Sequence, residues 1–232
     1  MTQDVDSCIT GDLRDIQADP HHMAYTEELV HSFAELTPTA GNLIKYLGEF
    51  ITLKCAPDML ALKLFPNAKE ISESFAAYEA VRRHLQDIPL DDPDVHMFAV
   101  GDGGTPRTAA TFAFRSRWTC HSIDPNLKDS SKWMRINRLH CYPVKVEEFT
   151  PVRCKTAVIA AVHSHARLDQ AILCAKADRV VVISMPCCVK QKLSIPPDKV
   201  YTDKSIISPK REMLIWRDIS GIPEFTQPSL FN

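Results

Sequence analysis

The chain contains 232 residues, of which 45% are hydrophobic and 24% charged, and its formal net charge is −2. This composition is ordinary for a water-soluble globular protein, and the charge argues against tight, purely electrostatic binding to nucleic acid. The longest apolar runs, 157–162 and 180–185, have the length of strands and are too short to cross a bilayer. The acidic N-terminus shows no secretory signal and the eight cysteines are scattered, so we expect reduced thiols and a cytoplasmic location.

Residues 1–90 are predicted to form an N-terminal arm followed by helices. Residues 1–24 are polar and lack a clear period, which predicts a flexible or loosely docked arm. Residues 25–90 form a region of helical periodicity in which a proline separates each apolar stretch from the next. The helices are predicted over 26–36, 43–51, 59–65 and 71–87.

From residue 91 to 232 the pattern changes to short apolar runs that alternate with helical or loop-like stretches. These runs are 96–101, 118–124, 155–163 and 179–185. Continuous apolar strands that alternate with helices indicate a parallel sheet buried on both faces. The segments 200–208 and 212–218 predict an antiparallel hairpin at the sheet edge. The fold class is therefore α/β, a Rossmann-like sheet with N-terminal helices before it.

The stretch FAVGDGGTPRTAATFAF, residues 98–114, places three of the chain's seven glycines directly after the first strand and before a helix. Glycine permits a sharp turn and lets the backbone approach a ligand closely. Asp124 follows about 20 residues later at the end of the next strand, where an acid hydrogen-bonds ribose hydroxyls. The two features together predict a nucleoside-type cofactor. The alternative is a plain structural turn, with Asp124 capping a second turn before Pro125.

The segment VGDGGT resembles the glycine motif of class I S-adenosylmethionine-dependent methyltransferases, and the resemblance covers about residues 70–218. It implies a Rossmann-like methyltransferase fold with S-adenosylmethionine as the cofactor. The implied cofactor-binding residues are Gly101, Asp102, Gly103, Gly104, Thr105 and Asp124. Two departures stand out: Thr105 replaces the third glycine, and Ala99 stands where the family carries an acid. Asp102 is a candidate to take over part of that acid's role.

The ends of the last two parallel strands carry HSH and PCC segments, which contain His163, His165, Cys187 and Cys188. On a continuing strand the two histidines would share a face. Three interpretations remain open: a histidine that accepts a proton or positions a substrate, a zinc site formed by the histidines and cysteines, or residues satisfied within the core. No CxxC or HxxxH spacing is present, so no metal ligand is assigned.

Both segments also resemble a branch of the methyltransferases, including some that modify tRNA, that has a PCC-type segment after strand five. This resemblance implies that Cys187 lies beside the substrate pocket. The family's usual asparagine- or aspartate-proline-proline-aromatic motif is absent, which disfavours amino-group methylation. The candidate catalytic residues are His163, His165 and Cys187, with the cysteine as a nucleophile if a base lies nearby.

The leading hypothesis is a methyltransferase whose acceptor is RNA, a protein or a small molecule, with no membrane partner. A basic segment with interleaved aromatics fits either RNA contact or a solvated surface. It contains Lys128, Lys132, Trp133, Arg135, Arg138, Tyr142 and Lys145. The first alternative is a catalytically inactive binding or assembly protein with the same fold. The second is a nicotinamide-dependent oxidoreductase, although Pro106 occupies the last glycine position of the GxGxxG spacing.

Overall fold

The computed structural model describes residues 8–10, 45–128, 131–189, 191–222 and 225. Seven strands form one sheet. In chain order they are β1 (Val95–Val100), β2 (Thr119–Ile123), β3 (Leu139–Tyr142), β4 (Val152–Val162), β5 (Ala175–Met185), β6 (Lys199–Thr202) and β7 (Glu212–Trp216).

The helices of the described residues lie mainly before the first strand. They are α1 (Lys45–Ile51), α2 (Ala56–Ala61), α3 (Ala68–His84), α4 (Arg107–Arg115) and α5 (Leu168–Ala171), with 3-10 helices at Ser131–Arg135, Val146–Glu148 and Ile172–Cys174. None of the helices in these ranges is long and apolar enough to cross a membrane.

The strand order in the sheet is β3-β2-β1-β4-β5-β7-β6. The five strands from β3 to β5 are parallel, and β7 runs antiparallel to both β5 and β6. This arrangement confirms the predicted fold class, including the antiparallel hairpin at the edge. The strand order reverses between β1 and β4, and in open α/β sheets such a reversal leaves a crevice at the carboxyl ends of the strands.

The helices predicted over 43–51, 59–65 and 71–87 overlap α1, α2 and α3, and α2 and α3 begin and end earlier than predicted. The helix predicted over 26–36 lies outside the described residues, as does most of 1–24, of which Ile9 forms a β-bridge with Ile136. The side chain of Asn67 caps α3 by accepting a hydrogen bond from the Glu70 N–H, so that helix begins before residue 71. Proline at 57 stands in the first turn of α2, where its missing N–H costs nothing, instead of interrupting the helix.

The N-terminal helices cover one face of the sheet and share its hydrophobic core. Every residue of α3 from 71 to 80 is buried, which is unusual for a helix and requires neighbours on all sides. The rings of Phe50, Phe65 and Phe75 pack together and join α1 to α3. A second cluster, which includes Phe149 and Ile172, covers the opposite face.

Two residues of the basic and aromatic segment belong to the interior scaffold. The indole of Trp133 is buried and donates a hydrogen bond to the Leu62 carbonyl. The guanidinium of Arg138 donates to the carbonyls of Ala113 and Ser116 at the end of α4, where a cation meets the negative end of the helix. These two side chains therefore hold the fold together at positions where the sequence left RNA contact open.

The contact between α1 and the loop after β6 gives a test of how firmly the helices are attached to the sheet. The buried Tyr46 hydroxyl donates a 2.5 Å hydrogen bond to the Asp203 carboxylate, which is also buried. We expect Tyr46→Phe to lower the free energy of unfolding by roughly 1–3 kcal/mol, because the carboxylate loses a partner without regaining water. Urea unfolding of Tyr46→Phe, Asp203→Asn and the double variant measures the coupling free energy between the two side chains. If the two single changes in unfolding free energy simply added in the double variant, the hydrogen bond would not stabilise the fold.

Candidate functional site

The glycine turn follows β1 directly. The Gly101 N–H still belongs to the sheet, since it donates to the Ile123 carbonyl at 2.8 Å. Gly101 and Gly103 have φ values of +74° and +83°, a region that residues with a Cβ rarely adopt. A Cβ on Gly101 would overlap the Ser164 side chain in the loop after β4. The missing Cβ of Gly101 therefore makes room for Ser164 and lets the loop after β4 pack against the turn after β1.

The side chain of Asp102 caps α4 from inside the turn. Its carboxylate accepts hydrogen bonds from the Thr108 and Ala109 N–H groups and from the Ser122 hydroxyl on β2. The residue is only 3% exposed, and desolvation raises the pKa of its carboxyl group. The sequence indicated Asp102 as a ligand contact, whereas its carboxylate is here engaged with three donors of the chain itself.

Asp124 ends β2 beside the turn, where the spacing predicted an acid. One carboxylate oxygen accepts the Gly103 N–H at 2.8 Å, and the other accepts the Asn126 N–H at 2.7 Å. A carboxylate has about four acceptor positions, so each oxygen keeps one for a further donor. The predicted residues Gly101, Gly103 and Asp124 are thus brought together at one edge of the sheet.

The other two predicted residues of the turn differ in their surroundings. A Cβ on Gly104 would have its nearest neighbours at 3.7 Å, so this glycine is not required by space. The Thr105 hydroxyl donates to the Leu64 carbonyl at 2.6 Å and fastens the turn to the chain before α3.

An ion pair that the sequence did not indicate lies over the turn. Arg107, the first residue of α4, donates from its guanidinium to the Asp102 carbonyl, and a Cβ on Gly103 would collide with it. Its Nε lies 2.5 Å from a carboxylate oxygen of Glu70 in the first turn of α3. The pair links the helical layer to the glycine turn.

Glu73, one turn further along α3, is fully buried within the same charged group. The Lys69 ammonium lies 3.1 Å from one of its oxygens and 3.2 Å from the other. Burial, reinforced by the negative charge of Glu70, raises the pKa of Glu73 to about 7. A buried carboxyl group with a pKa near neutrality is a recognised sign of acid–base function.

The structure separates His163 from His165. Strand β4 ends at Val162 and His163 has a φ of +51°, so the expectation of a shared face on a continuing strand is not met. The Nε2 of His163 lies 2.9 Å from the Lys210 carbonyl, which can only accept, so Nε2 carries the proton and Nδ1 is bare in the neutral ring. That Nδ1 lies 3.4 Å from Glu73. His165 is exposed and lies beside Cys188 instead.

Cys187 is half-buried, with its sulfur 3.6 Å from the His163 carbonyl. The contact is made to the backbone of His163 and leaves the imidazole directed at Glu73. The structure thus places the Cys187 thiol beside the His163 carbonyl and the Cys188 sulfur. The acid that does face that imidazole was missed because nothing in KEISES separates an inward glutamate from a solvated one.

Comparison with known proteins gives structural likeness only. No protein-family model matches the chain, and no curated protein matches it. A mutant of MtNAS in complex with S-adenosylmethionine aligns with a TM-score of 0.45 and 10% identity over 90% of this chain and 84% of that one. Magnesium protoporphyrin IX methyltransferase (ChlM) from Synechocystis, with bound S-adenosylmethionine, gives 0.40 and 11% over 82% and 94%. The mitomycin 7-O-methyltransferase MmcR gives 0.35 and 15% over 77% and 55%.

Substitution within the turn should show that the backbone requires glycine at position 101 but not at position 104. Gly101→Ala combines a positive φ with a collision against Ser164, and we expect it to destabilise the fold by about 2–4 kcal/mol. Gly104→Ala is the matched control and should stay within about 0.5 kcal/mol of the natural chain. Thermal and urea unfolding measure both; equal effects would contradict this account of the turn.

Replacement of Glu73 by glutamine should remove a pH dependence of stability. Because the pKa of Glu73 is raised on folding, its stabilising contribution is complete below about pH 4.5 and is lost as the pH rises through about 7. Glu73→Gln should therefore gain stability relative to the natural chain across this window, by on the order of 2 kcal/mol. The charged groups that face it, Lys69, Glu70, Arg107 and His163, are present in both proteins.

The measurement is urea unfolding of both proteins at a series of pH values from 4.5 to 8. Glu148→Gln, which removes an exposed carboxyl group, is the matched control. A difference between Glu73→Gln and the natural chain that does not change with pH would show that Glu73 is ionised throughout.

Proposed function

We propose that this chain is an S-adenosylmethionine-dependent methyltransferase that binds its cofactor at the glycine turn, residues 101–105, and Asp124. The acceptor is RNA, a protein or a small molecule. The eight cysteines are all free, which supports a reducing, cytoplasmic location.

The fit of the residues to a nucleoside rests on two features of the crevice. Gly101 and Gly103 take left-handed φ values that fold the turn tightly at the end of β1, beside Asp124. Asp124 lies against that backbone and retains acceptor positions on both oxygens. A ribose with two adjacent hydroxyl donors suits such a carboxylate.

The observation that carries the proposal is the Asp102 cap, because it distinguishes between nucleoside cofactors. Dinucleotides place their pyrophosphate at a helix N-terminus, where free N–H groups and the helix dipole attract negative charge. In this chain the Asp102 carboxylate already accepts from Thr108 and Ala109 at that place. A pyrophosphate would meet a buried carboxylate, so the geometry disfavours the nicotinamide cofactor and favours a nucleoside without phosphate.

When bound, S-adenosylmethionine supplies an electrophilic methyl group. The chain's contribution is to hold the reactants in line and to receive the proton that the acceptor gives up. Glu73 in its ionised form, with His163 beside it, is the group suited to that task. Helix α3, buried from residue 71 to residue 80, excludes water from this side of the crevice.

A second candidate function, a non-catalytic binding or assembly protein of the same fold, is favoured by one observation. The Arg107 side chain covers Gly103 and is held there by Glu70 and the Asp102 carbonyl. An ion pair that permanently covered the turn would restrict the space for a cofactor.

Calorimetric titration with S-adenosylmethionine, S-adenosylhomocysteine and NADH tests the cofactor. We expect binding of the first two and none of NADH. Asp124→Asn keeps an acceptor oxygen but loses the charge and should weaken binding by about 10- to 100-fold. Asp91→Asn, an exposed change away from the crevice, is the control and should bind as the natural chain does. Binding of NADH, or equal binding by both variants, would overturn the assignment.

Transfer of a labelled methyl group from S-adenosylmethionine to RNA, protein and metabolite fractions separates the two candidate functions. Glu73→Gln should keep cofactor affinity within about twofold while lowering transfer by about 10²-fold or more. Cofactor binding with no transfer to any fraction would favour the non-catalytic protein.

A further inference from the structure

Three metal-ligating side chains meet at the carboxyl ends of β4 and β5, apart from the glycine turn. The Nε2 of His165 lies 3.1 Å from the Cys188 sulfur, and the sulfurs of Cys187 and Cys188 are 3.5 Å apart. All three ligand atoms lie within 4.8 Å of one another. Neighbouring residues of an extended chain point to opposite sides, whereas these two thiols lie close together.

We infer that His165, Cys187 and Cys188 form a binding site for zinc. Zinc takes sulfur at about 2.3 Å and imidazole nitrogen at about 2.0–2.1 Å, which in a tetrahedron separates the ligand atoms by roughly 3.5–3.8 Å. The separations of 3.1 and 3.5 Å are close to this spacing and the third is within 4.8 Å, so a single ion could be reached by rotations of the side chains. Sulfur and imidazole are also the donors that select zinc over magnesium or calcium.

The fold holds the two ligand-bearing loops against each other. Strands β4 and β5 are in register at Val162 and Met185, so His165 and Cys188 each stand three residues beyond the same rung. The buried Gln191 then donates from its amide nitrogen to the carbonyls of Ser164 and Ala166, on either side of His165. This clamp fixes the loop that follows Cys188 to the loop that carries the histidine, so the site is organised before an ion arrives.

The exposure of the site defines the kind of zinc centre. His165 and Cys188 are exposed and Cys187 is half-buried, so an ion here reaches solvent. Three protein ligands leave the fourth position of the tetrahedron for water or another ligand, which is the pattern of open rather than closed zinc centres. On binding, two S–H bonds break, two zinc–sulfur bonds form, and two protons pass to solvent. The Cys187 thiol then gives up its contact with the His163 carbonyl.

The test uses the full chain, reduced and stripped of metal, titrated with Zn²⁺ against a chromophoric chelator. We expect one ion per chain, with a dissociation constant on the order of 1 μM or tighter. Cys188→Ser and His165→Ala should each weaken binding by about 10²-fold or more. Cys154→Ser removes a half-buried thiol from the early part of β4 and should leave zinc binding unchanged.

Titration with Co²⁺ reports the geometry without depending on any variant. Two thiolates and an imidazole in a tetrahedral site give a sulfur-to-cobalt charge-transfer band and intense visible bands, whereas octahedral cobalt gives weak ones. No binding, binding that survives Cys188→Ser or His165→Ala, or an octahedral spectrum would each overturn the site. Zinc binding does not depend on the cofactor, so Asp124→Asn should bind zinc as the natural chain does.

Discussion

The carboxylate of Asp102 is the interaction on which the geometry of the crevice depends. It joins three elements, because it lies in the turn after β1, caps α4 and receives the Ser122 hydroxyl from β2. Burial disfavours its charge and raises the pKa of its carboxyl group, and the nearby Arg107 guanidinium and the helix N–H groups offset only part of that cost. With the carboxylate in place, the two left-handed glycines and Asp124 fall into a fixed relation.

A consequence of this cap is that the helix N-terminus is occupied by the chain's own negative charge. Where an anion-binding loop leaves its N–H groups free for phosphate, this loop has satisfied them internally. The surrounding charges are also paired within the chain: Arg107 pairs with Glu70, and Lys69 pairs with Glu70 and Glu73. Buried charges of this kind are retained only when each has a partner, so α3 and α4 are held together by electrostatics as well as by packing.

The local features of the site could be predicted from sequence because they depend on short spacings. A strand, a glycine turn, a helix and an acid at the next strand end occupy residues 95–124, and each has its own residue signature. The sheet class followed from the same alternation. The edges of elements were less accurate: Asn67 extended α3 by capping it, and Pro57 began α2 where it was expected to interrupt a helix.

The charged group over the turn could not be predicted, because it depends on contacts between distant parts of the chain. Glu73 meets Lys69 within its own helix, but it meets His163 only because α3 packs against β4, which His163 directly follows. The same holds for Gln191, whose clamp requires the register of β4 and β5. Sequence patterns report which face of a helix is apolar; they do not report which glutamate faces a histidine ninety residues away.

The positive φ of His163 separates the two histidines at the carboxyl edge of the sheet. A strand that continued past Val162 would direct His163 and His165 to the same side and make them alternatives for one role. Because His163 has a positive φ, β4 ends before it. The His163 ring faces the buried Glu73, and His165 lies at the surface beside Cys188. The HSH segment therefore contributes to both proposed sites, the inner one for proton transfer and the outer one for zinc. Since the two sites share no ligand atom, each can be removed by substitution while the other is kept.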